Sequence, residues 1–290
     1  MTEKPVLIAQ ITDCHIGFDR DDPEEDNVQR LGAVLERLRD GPNRPDLVLL
    51  SGDLTNSGMP ENYARLASVI ADQPFPVQLM LGNWDRRDVL CATFPETPTS
   101  EGFVQFEVTL PGLRLIALDT NEAGRHGGAF CERRAEWLRS RLDADPATPV
   151  MIAMHHPPVE TGIAWLDSGA NEAWIKRFAA VIEGRPQVRA IIAGHMHRPI
   201  FTMFAGVPLV VCPSSAPHVE LDLSPLDPEA PDGRPLVVDD PAGYALHRWD
   251  GKRLISHFEW VRPGQTKTVY ASFDASMAKA VSQNARERLE

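Results

Sequence analysis

The sequence has few cysteines and no long apolar run. Its cysteines (Cys14, Cys91, Cys131 and Cys212) are far apart and form no CxxC pair, which excludes a disulfide framework and indicates free thiols. No apolar stretch reaches the length of a membrane span, and no leader-like segment precedes the first apolar run. We therefore expect a cytoplasmic protein that does not act at a membrane.

Positive charge is also scarce. Lys and Arg number 29 against 41 Asp and Glu, and the formal net charge is -12. Because an acidic surface repels phosphate backbones, the composition excludes a nucleic-acid polymer as the partner. A small phosphate ester is not excluded, since bound metal cations can dominate the electrostatic field inside a cleft.

The chain contains no internal repeat and no low-complexity segment. With 290 residues it can form one substantial core. We expect a catalytic domain over residues 1–262 and a C-terminal arm over residues 263–290. A loop rich in Pro and Asp at 221–241 and a hairpin at 244–261 are expected as appendages of the domain, and the Asp250-Gly251 step predicts the hairpin turn.

Five short apolar runs, by contrast, each end in residues that can bind metal. Runs of this length rich in Val, Ile and Leu predict buried strands. The endings are Asp13-Cys14-His15, Gly52-Asp53, Gly82-Asn83-Trp84-Asp85, His155-His156 and Gly194-His195-Met196-His197. Because ligands gather at the carboxyl ends of strands in open α/β sheets, these side chains can converge. The pattern predicts a metal-dependent hydrolase.

Helical periodicity separates these predicted strands. Apolar residues recur at intervals of three and four over 28–38, and similar patterns cover 61–70, 132–143 and 171–183. Alternation of strand and helix is typical of a largely parallel sheet with crossover connections. Strand pairs are predicted at 103–118 and again from residue 199 onward. The fold class is therefore α/β.

In order and content, the five endings resemble the five sequence blocks of the calcineurin-like metallophosphoesterase family. The similarity is greatest to bacterial phosphodiesterases of the cyclic-nucleotide and glycerophosphodiester type, and it covers roughly residues 5–220. The matching residues are Asp13, His15, Asp53, Asn83, His155, His195 and His197, with Asn56, His156 and His218 as further matches. The resemblance implies a four-layer α/β/β/α sandwich of two mixed sheets flanked by helices.

The resemblance also implies a dinuclear metal site that hydrolyses small phosphodiesters through a hydroxide held by the metals. The two divalent cations would be manganese, iron, zinc or cobalt. The first ion would be bound by Asp13, His15, Asp53 and His197, and the second by Asp53, Asn83, His155 and His195. Asp53 would thus bridge both ions. Asn56, Trp84, His156 and His218 are expected to contact the small-molecule phosphoester substrate.

The third block departs from the family pattern, because Trp84 stands where the family usually has histidine. Tryptophan can donate one hydrogen bond but cannot transfer a proton. Assistance to the leaving group is therefore expected from His218, Asp85 or water, or the enzyme favours substrates with good leaving groups. His126 lies in a glycine-rich turn and is expected at the surface.

Two alternative functions stay open at this point. The same site can serve a phosphomonoesterase or a phosphonate-ester hydrolase, and the altered third block favours keeping that alternative. A non-catalytic interaction module on the same fold is a second alternative, but the complete ligand set argues against it. We also expect a homo-oligomer, a dimer or a dimer-based assembly, formed through the hairpin or the C-terminal arm.

Overall fold

The computed structural model of the chain describes residues 4–167, 169, 171–227 and 229–262. The predicted arm over 263–290 lies outside these residues. The helices are α1 (Asp26–Asp40), α2 (Pro60–Ile70), α3 (Arg87–Thr93), α4 (Glu132–Ala144) and α5 (Ala173–Ile182). The strands are β1 (Val6–Ile11), β2 (Leu47–Ser51), β3 (Val77–Met80), β4 (Phe106–Leu110), β5 (Leu113–Ala117), β6 (Val150–Ala153), β7 (Val188–Ala193), β8 (Ile200–Phe204), β9 (Val207–Val211), β10 (His218–Val219), β11 (Val237–Val238), β12 (Gly243–Trp249) and β13 (Leu254–Trp260).

The strands form two mixed sheets and a short ribbon. The first sheet has the order β13-β12-β1-β2-β3, in which β1, β2 and β3 are parallel, β12 is antiparallel to β1, and β13 is antiparallel to β12. The second has the order β4-β5-β6-β7-β9-β8, in which the edge strands β4 and β8 are antiparallel to their neighbours. Strands β10 and β11 pair with each other.

Alternate residues along the strands of the second sheet pack into two different hydrophobic cores, one on each face of the sheet. Leu115 and Met151 belong to the core that the second sheet shares with the first sheet, whereas their neighbours Ile116 and Ile152 pack with α4 and α5. Successive residues of a strand face opposite sides, so this sheet is covered on both faces. Helix α1 packs on the first sheet through Leu31 and other buried positions. The predicted α/β/β/α sandwich is confirmed.

The hairpin is not the appendage that the sequence predicted. Strand β12 pairs with β1 along its length, from Trp249 opposite Val6 to Ala245 opposite Gln10. Tyr244, Leu246 and Trp249 are buried in the shared core. The reason is that β1 would otherwise present an unpaired edge in the middle of the molecule. The hairpin therefore completes the first sheet.

A buried polar network at the centre of the sandwich joins the two sheets. Gln10 on β1 donates hydrogen bonds to Ser51 Oγ at 2.8 Å and to the Ala193 carbonyl of β7 at 3.0 Å. Its Oε1 lies 3.0 Å from Nε2 of His247, whose Nδ1 is 2.8 Å from Ser256 Oγ. Burial lowers the pKa of His247 to about 4. The folded protein therefore keeps His247 neutral.

His247 should make the protein sensitive to acid. The folded pKa of about 4 lies below the unfolded value of 6.5, so the unfolded chain binds the extra proton and stability falls as pH drops from about 6.5 towards 4. Between pH 7 and pH 5 we expect about 2 kcal/mol of this loss in the free energy of unfolding, and we expect His247→Gln not to show it. Denaturant unfolding at both pH values measures the difference.

The control is His257→Gln, which removes an exposed histidine from the neighbouring strand β13. This variant should keep the acid sensitivity of the unchanged protein. Equal pH dependence in the two variants would contradict the assignment to His247.

Candidate metal centre

Many of the residues in the five sequence blocks have an unusual backbone conformation. The φ angles of Asp13, His15, Asp53, His195 and His197 are 53°, 46°, 49°, 71° and 54°. Positive φ is uncommon for residues other than glycine and costs of order 1–3 kcal/mol per residue. Strained residues of this kind occur mainly at functional sites. The clustering of strained residues here indicates that these turns serve to orient the side chains of a functional site.

Glycines allow these turns to approach one another. A Cβ atom on Gly82 would lie 2.2 Å from Asp53 Oδ1, and one on Gly52 would lie 2.5 Å from His155 Nδ1. Both distances are far below van der Waals contact, so only glycine fits without a shift. The glycines that precede Asp53 and Asn83 in the sequence therefore make room for the side chains of other blocks.

Main-chain hydrogen bonds join the ends of strands from both sheets. Asp13 donates its N–H to the Gly52 carbonyl at 3.0 Å, and Gly194 donates to the His155 carbonyl at 2.9 Å. The N–H of His195 donates to Asp13 Oδ2 at 3.0 Å, which connects the two pairs. The loops after β1, β2, β6 and β7 thus meet at one edge of the sandwich, as the sequence predicts.

A first group of ligand-type atoms consists of Asp13, His15 and His197, whose donor atoms lie within 4.8 Å of one another. Nε2 of His15 is 3.1 Å from Nε2 of His197 and 3.8 Å from Asp53 Oδ2. Nδ1 of His197 lies 2.9 Å from the Pro217 carbonyl. Because Nδ1 must donate to that carbonyl, the lone pair of Nε2 points to the group.

A second group consists of Asp13, Asp53 and His155, also within 4.8 Å of one another. Nε2 of His155 is 3.3 Å from Asp53 Oδ2 and 3.8 Å from Asp13 Oδ1. Its Nδ1 is 2.9 Å from the Ser51 carbonyl, so Nδ1 is again the donor. His195 forms a third group with His155 and His156. Oδ2 of Asp53 therefore lies near a histidine of the first group, His15 at 3.8 Å, and near His155 of the second group at 3.3 Å.

Hydrogen bonds distinguish the two adjacent histidines. Nε2 of His156 lies 3.0 Å from the His126 carbonyl, which can only accept, so Nε2 carries the proton, and it also donates to Asn83 Oδ1 at 3.2 Å. Nδ1 then accepts from the Thr120 hydroxyl at 2.8 Å, and Thr120 Oγ1 accepts the main-chain N–H of His156 at 3.4 Å. In this tautomer His156 has no lone pair to offer, whereas His155 has one.

Burial and charge set the protonation of the histidines and carboxylates in this region. Burial lowers the pKa of His15 and of His195 to about 4, which keeps both imidazoles neutral. Burial alone would lower the pKa of His155, but attraction to Asp53 and Asp13 outweighs it and raises the pKa to about 9. Burial alone would also raise the pKa of Asp53, yet His155 holds it well below its usual range.

The donor set fits a metal centre. Among the described residues, Asp13 Oδ1 and His155 Nε2 are buried without a hydrogen-bond partner, and unpaired buried polar atoms cost about 1–3 kcal/mol each. A cation between them would satisfy both. Donors on one zinc-sized ion lie roughly 3–3.5 Å apart, and the separations of 3.1, 3.3 and 3.5 Å here match. Imidazole and carboxylate donors suit first-row transition metals.

The predicted substrate residues Asn56 and Trp84 lie beside these groups. They line a cavity of about 640 Å³ together with Asn83 and with the ligand-type histidines His15 and His197. Other parts of its wall are apolar and come from Phe18, Trp165, Leu236 and Val237. These apolar residues carry no metal-binding pattern, so the sequence did not single them out.

Asp85 does not have the catalytic position that the sequence predicted. Its buried carboxylate accepts hydrogen bonds from the N–H groups of Leu54 at 3.0 Å and Gly82 at 2.9 Å and from the Tyr63 hydroxyl at 3.0 Å. Both oxygens are therefore engaged within the fold. Asp85 thus connects the second sequence block to the third through hydrogen bonds to Leu54 and Gly82.

His218 is corrected in the same way. Its neighbours Pro217 and Val219 line the cavity, and alternate residues of an extended segment face opposite sides. The His218 side chain is buried, with Nε2 3.2 Å from the Ser214 carbonyl and Nδ1 3.9 Å from Asp240 Oδ2. It therefore points away from the cavity that Pro217 and Val219 line.

His126 is the site residue whose place the sequence did not predict. It is exposed, as expected, but it also lines the cavity, and its ring packs edge-on against Trp84 at 5.6 Å between centroids. Its glycine-rich turn carries no periodic signal. The position follows only from the loop between β5 and α4, which returns to the ends of β3 and β6.

The strand order, the two-sheet sandwich and the aspartate–histidine groups at its edge define a metallophosphoesterase. The chain matches the calcineurin-like phosphoesterase family over residues 6–199 and belongs to that family. The family that the sequence blocks predicted is thus confirmed. A dimetal phosphatase from Danio rerio has the same fold, with a TM-score of 0.61 at 14% identity, over 87% of this chain and 99% of that one.

Curated relatives are similar along most of the chain. A cAMP/cGMP dual specificity phosphodiesterase of Mycobacterium tuberculosis is 30% identical over 276 residues, which cover 90% of this chain and 84% of that protein. A glycerophosphodiester phosphodiesterase of Enterobacter lignolyticus is 28% identical over 265 residues, which cover 87% and 90%. In the described part of this chain, every helix is too short or too polar to cross a bilayer.

Proposed function

We propose that this protein is a dinuclear metal-dependent phosphodiesterase that hydrolyses small organic phosphodiesters, with 3′,5′-cyclic nucleotides and glycerophosphodiesters as the candidate substrates. The observation that carries the proposal is the meeting of buried Asp13, Asp53 and His155 beside a cavity that Asp53 lines, with Asp13 Oδ1 and His155 Nε2 left unpaired. The names of the relatives in both substrate classes support it.

The proposed ligands divide between two ions. Asp13, His15, Asp53 and His197 would bind the first, and Asp53, Asn83, His155 and His195 the second, each ion being manganese, iron, zinc or cobalt. When bound, the cations would supply charge stabilisation to the phosphoryl group and activate water. With two carboxylates among the ligands, the centre keeps a net positive charge that attracts a phosphate ester.

The remaining polar residues hold these ligands in place. The Ser51 and Pro217 carbonyls fix the rings of His155 and His197, each through Nδ1. His156 orients the side-chain amide of Asn83 through its oxygen. Such outer hydrogen bonds fix ring orientation and increase ligand basicity. The chain itself thus preorganises the donors before any substrate binds.

The apolar part of the cavity favours a diester over a monoester. Trp84, Trp165, Leu236 and Val237 form a wall beside the proposed metal ligands, and Trp84 is 42% exposed. A phosphodiester has an organic substituent on each side of phosphorus, and such a wall can bury one of them. The net charge of -12 favours a small substrate over a nucleic-acid polymer.

A substrate panel with added manganese, iron, zinc or cobalt tests the proposal. The panel contains 3′,5′-cyclic AMP, glycerophosphocholine, bis(4-nitrophenyl) phosphate, 4-nitrophenyl phosphate and 4-nitrophenyl phenylphosphonate. We expect metal-dependent hydrolysis with kcat/KM at least about 10-fold higher for a diester than for the monoester. Preference for the monoester or the phosphonate would support the alternative hydrolases. Absence of both hydrolysis and metal uptake would support an interaction module.

The same proposal includes one catalytic domain over residues 1–262, a cytoplasmic location and a dimer or dimer-based assembly. Exposed Phe201 and Met203 on the edge strand β8, and Ile255 on the edge strand β13, support self-association. Light scattering after size-exclusion chromatography measures the assembly. A monomer at all concentrations would contradict it.

A further inference from the structure

One imidazole at the cavity belongs to none of the metal-ligand groups. His15, His195 and His197 line the cavity and are members of those groups. His126 lines the same cavity from the loop between β5 and α4, and its side chain is exposed. Its ring stands nearly perpendicular to that of Trp84, with an interplanar angle of 80°. His126 is therefore available to a substrate.

A chain of hydrogen bonds fixes which nitrogen of His126 carries the proton. His156 Nε2 donates to Asn83 Oδ1, which assigns the two ends of the Asn83 amide. The amide nitrogen Nδ2 then lies 3.3 Å from His126 Nδ1. Because an amide NH₂ group can only donate, Nδ1 of His126 is the acceptor and the proton is on Nε2. Within the part of the chain that the structure describes, this Nε2–H group has no hydrogen-bond partner.

We propose that this Nε2–H group of His126 donates a hydrogen bond to the leaving oxygen of the phosphodiester, an inference that rests on the proposed function. In-line displacement puts the leaving oxygen opposite the attacking oxygen. The carboxylates of the proposed metal ligands are buried, with Asp13 0% and Asp53 2% exposed. Attack from the side of these carboxylates directs the leaving oxygen to the open side, where exposed His126 stands beside Asn83.

The reaction balances with one water molecule. Hydroxide from that water forms the new bond to phosphorus, and the bond to the leaving oxygen breaks with its electron pair remaining on oxygen. The hydrogen bond from His126 stabilises the charge that develops there, and the proton of the water completes the alcohol. His126 keeps its proton throughout. Trp84, which offers only its indole N–H, forms the adjacent wall.

The test compares His126→Ala with the unchanged protein on two diesters that differ only in the leaving group. Methyl 4-nitrophenyl phosphate releases a stable phenolate, whereas methyl phenyl phosphate releases a more basic one that needs the donor. We expect the substitution to lower kcat at least about 10-fold for the phenyl ester and less than about 2-fold for the nitrophenyl ester. The ratio of the two rates is independent of the fraction of folded, metal-loaded protein.

His257→Ala, at an exposed position on β13, is the matched control and should leave the ratio unchanged. An equal loss on both esters would give His126 a merely structural role and overturn the inference, as would an unchanged rate on the phenyl ester. The proposed function is judged separately, because it fails only if the unchanged protein hydrolyses neither diester with added metal.

Discussion

Asp53→Asn is expected to lower phosphodiester hydrolysis at least about 10³-fold and to reduce the metal content of the protein. Oδ2 of Asp53 is 3.8 Å from His15 Nε2 and 3.3 Å from His155 Nε2, which places this carboxylate between the two groups of donors. A neutral amide removes one negative charge and one of the two oxygens that a bridge needs. The lost charge and the lost oxygen would both weaken the binding of the two proposed ions.

The measurement is kcat/KM for bis(4-nitrophenyl) phosphate together with metal content by plasma mass spectrometry. Asp40→Asn is the control, because it removes an exposed carboxylate at the end of α1. That variant should match the unchanged protein in both readings. Full metal content and activity within about 10-fold in Asp53→Asn would contradict the bridging role.

Gly82→Ala is expected to have the second-largest effect, a loss of about 10²-fold in kcat with weaker metal binding. The added Cβ would lie 2.2 Å from Asp53 Oδ1 and 2.3 Å from Asp53 N, so the Asp53 turn must move. Asp53 also has a positive φ of 49°. A residue keeps such a strained backbone angle only when its surroundings enforce it. A shift of about 1 Å in a bridging carboxylate misaligns both ions.

Gly32→Ala provides the matched control, since a Cβ there meets nothing within 4 Å. Gly32 lies in helix α1, where alanine should raise stability by about 0.5–1 kcal/mol and leave activity unchanged. Activity and metal titrations of the two variants give the comparison. If Gly82→Ala behaved as Gly32→Ala does, close packing at the Asp53 turn would not be required for the site.

The sequence predicts most of the site because the ligand residues follow recognisable strands. Asp13, Asp53 and His155 each come within three residues of the end of a run of buried apolar residues, and the carboxyl ends of neighbouring strands share one edge. The sandwich was predictable from the same runs and from the family that their endings resemble. Within the sandwich, the sequence failed to predict that the β12–β13 hairpin pairs with β1. The paired residues are 235 or more positions apart in the chain, and such pairing leaves no local sequence signal.

The errors have a different physical origin. Asp85 and Asp53 both follow glycine-containing turns, and only the N–H groups that surround Asp85 show that its carboxylate is engaged in the fold. His218 lies in a strand of only two residues, and the direction of its side chain depends on pairing with β11. His126 reaches the cavity through a loop, and its tautomer depends on Asn83 and His156. Such roles depend on contacts between distant segments.

The most direct test of the account is anomalous diffraction from crystals grown with manganese. We predict two anomalous peaks per chain that share the Asp53 carboxylate. One should lie among Asp13, His15 and His197, and the other among Asn83, His155 and His195. Peaks elsewhere, or no peak in crystals of the folded protein, would contradict a metal centre at the ends of these strands.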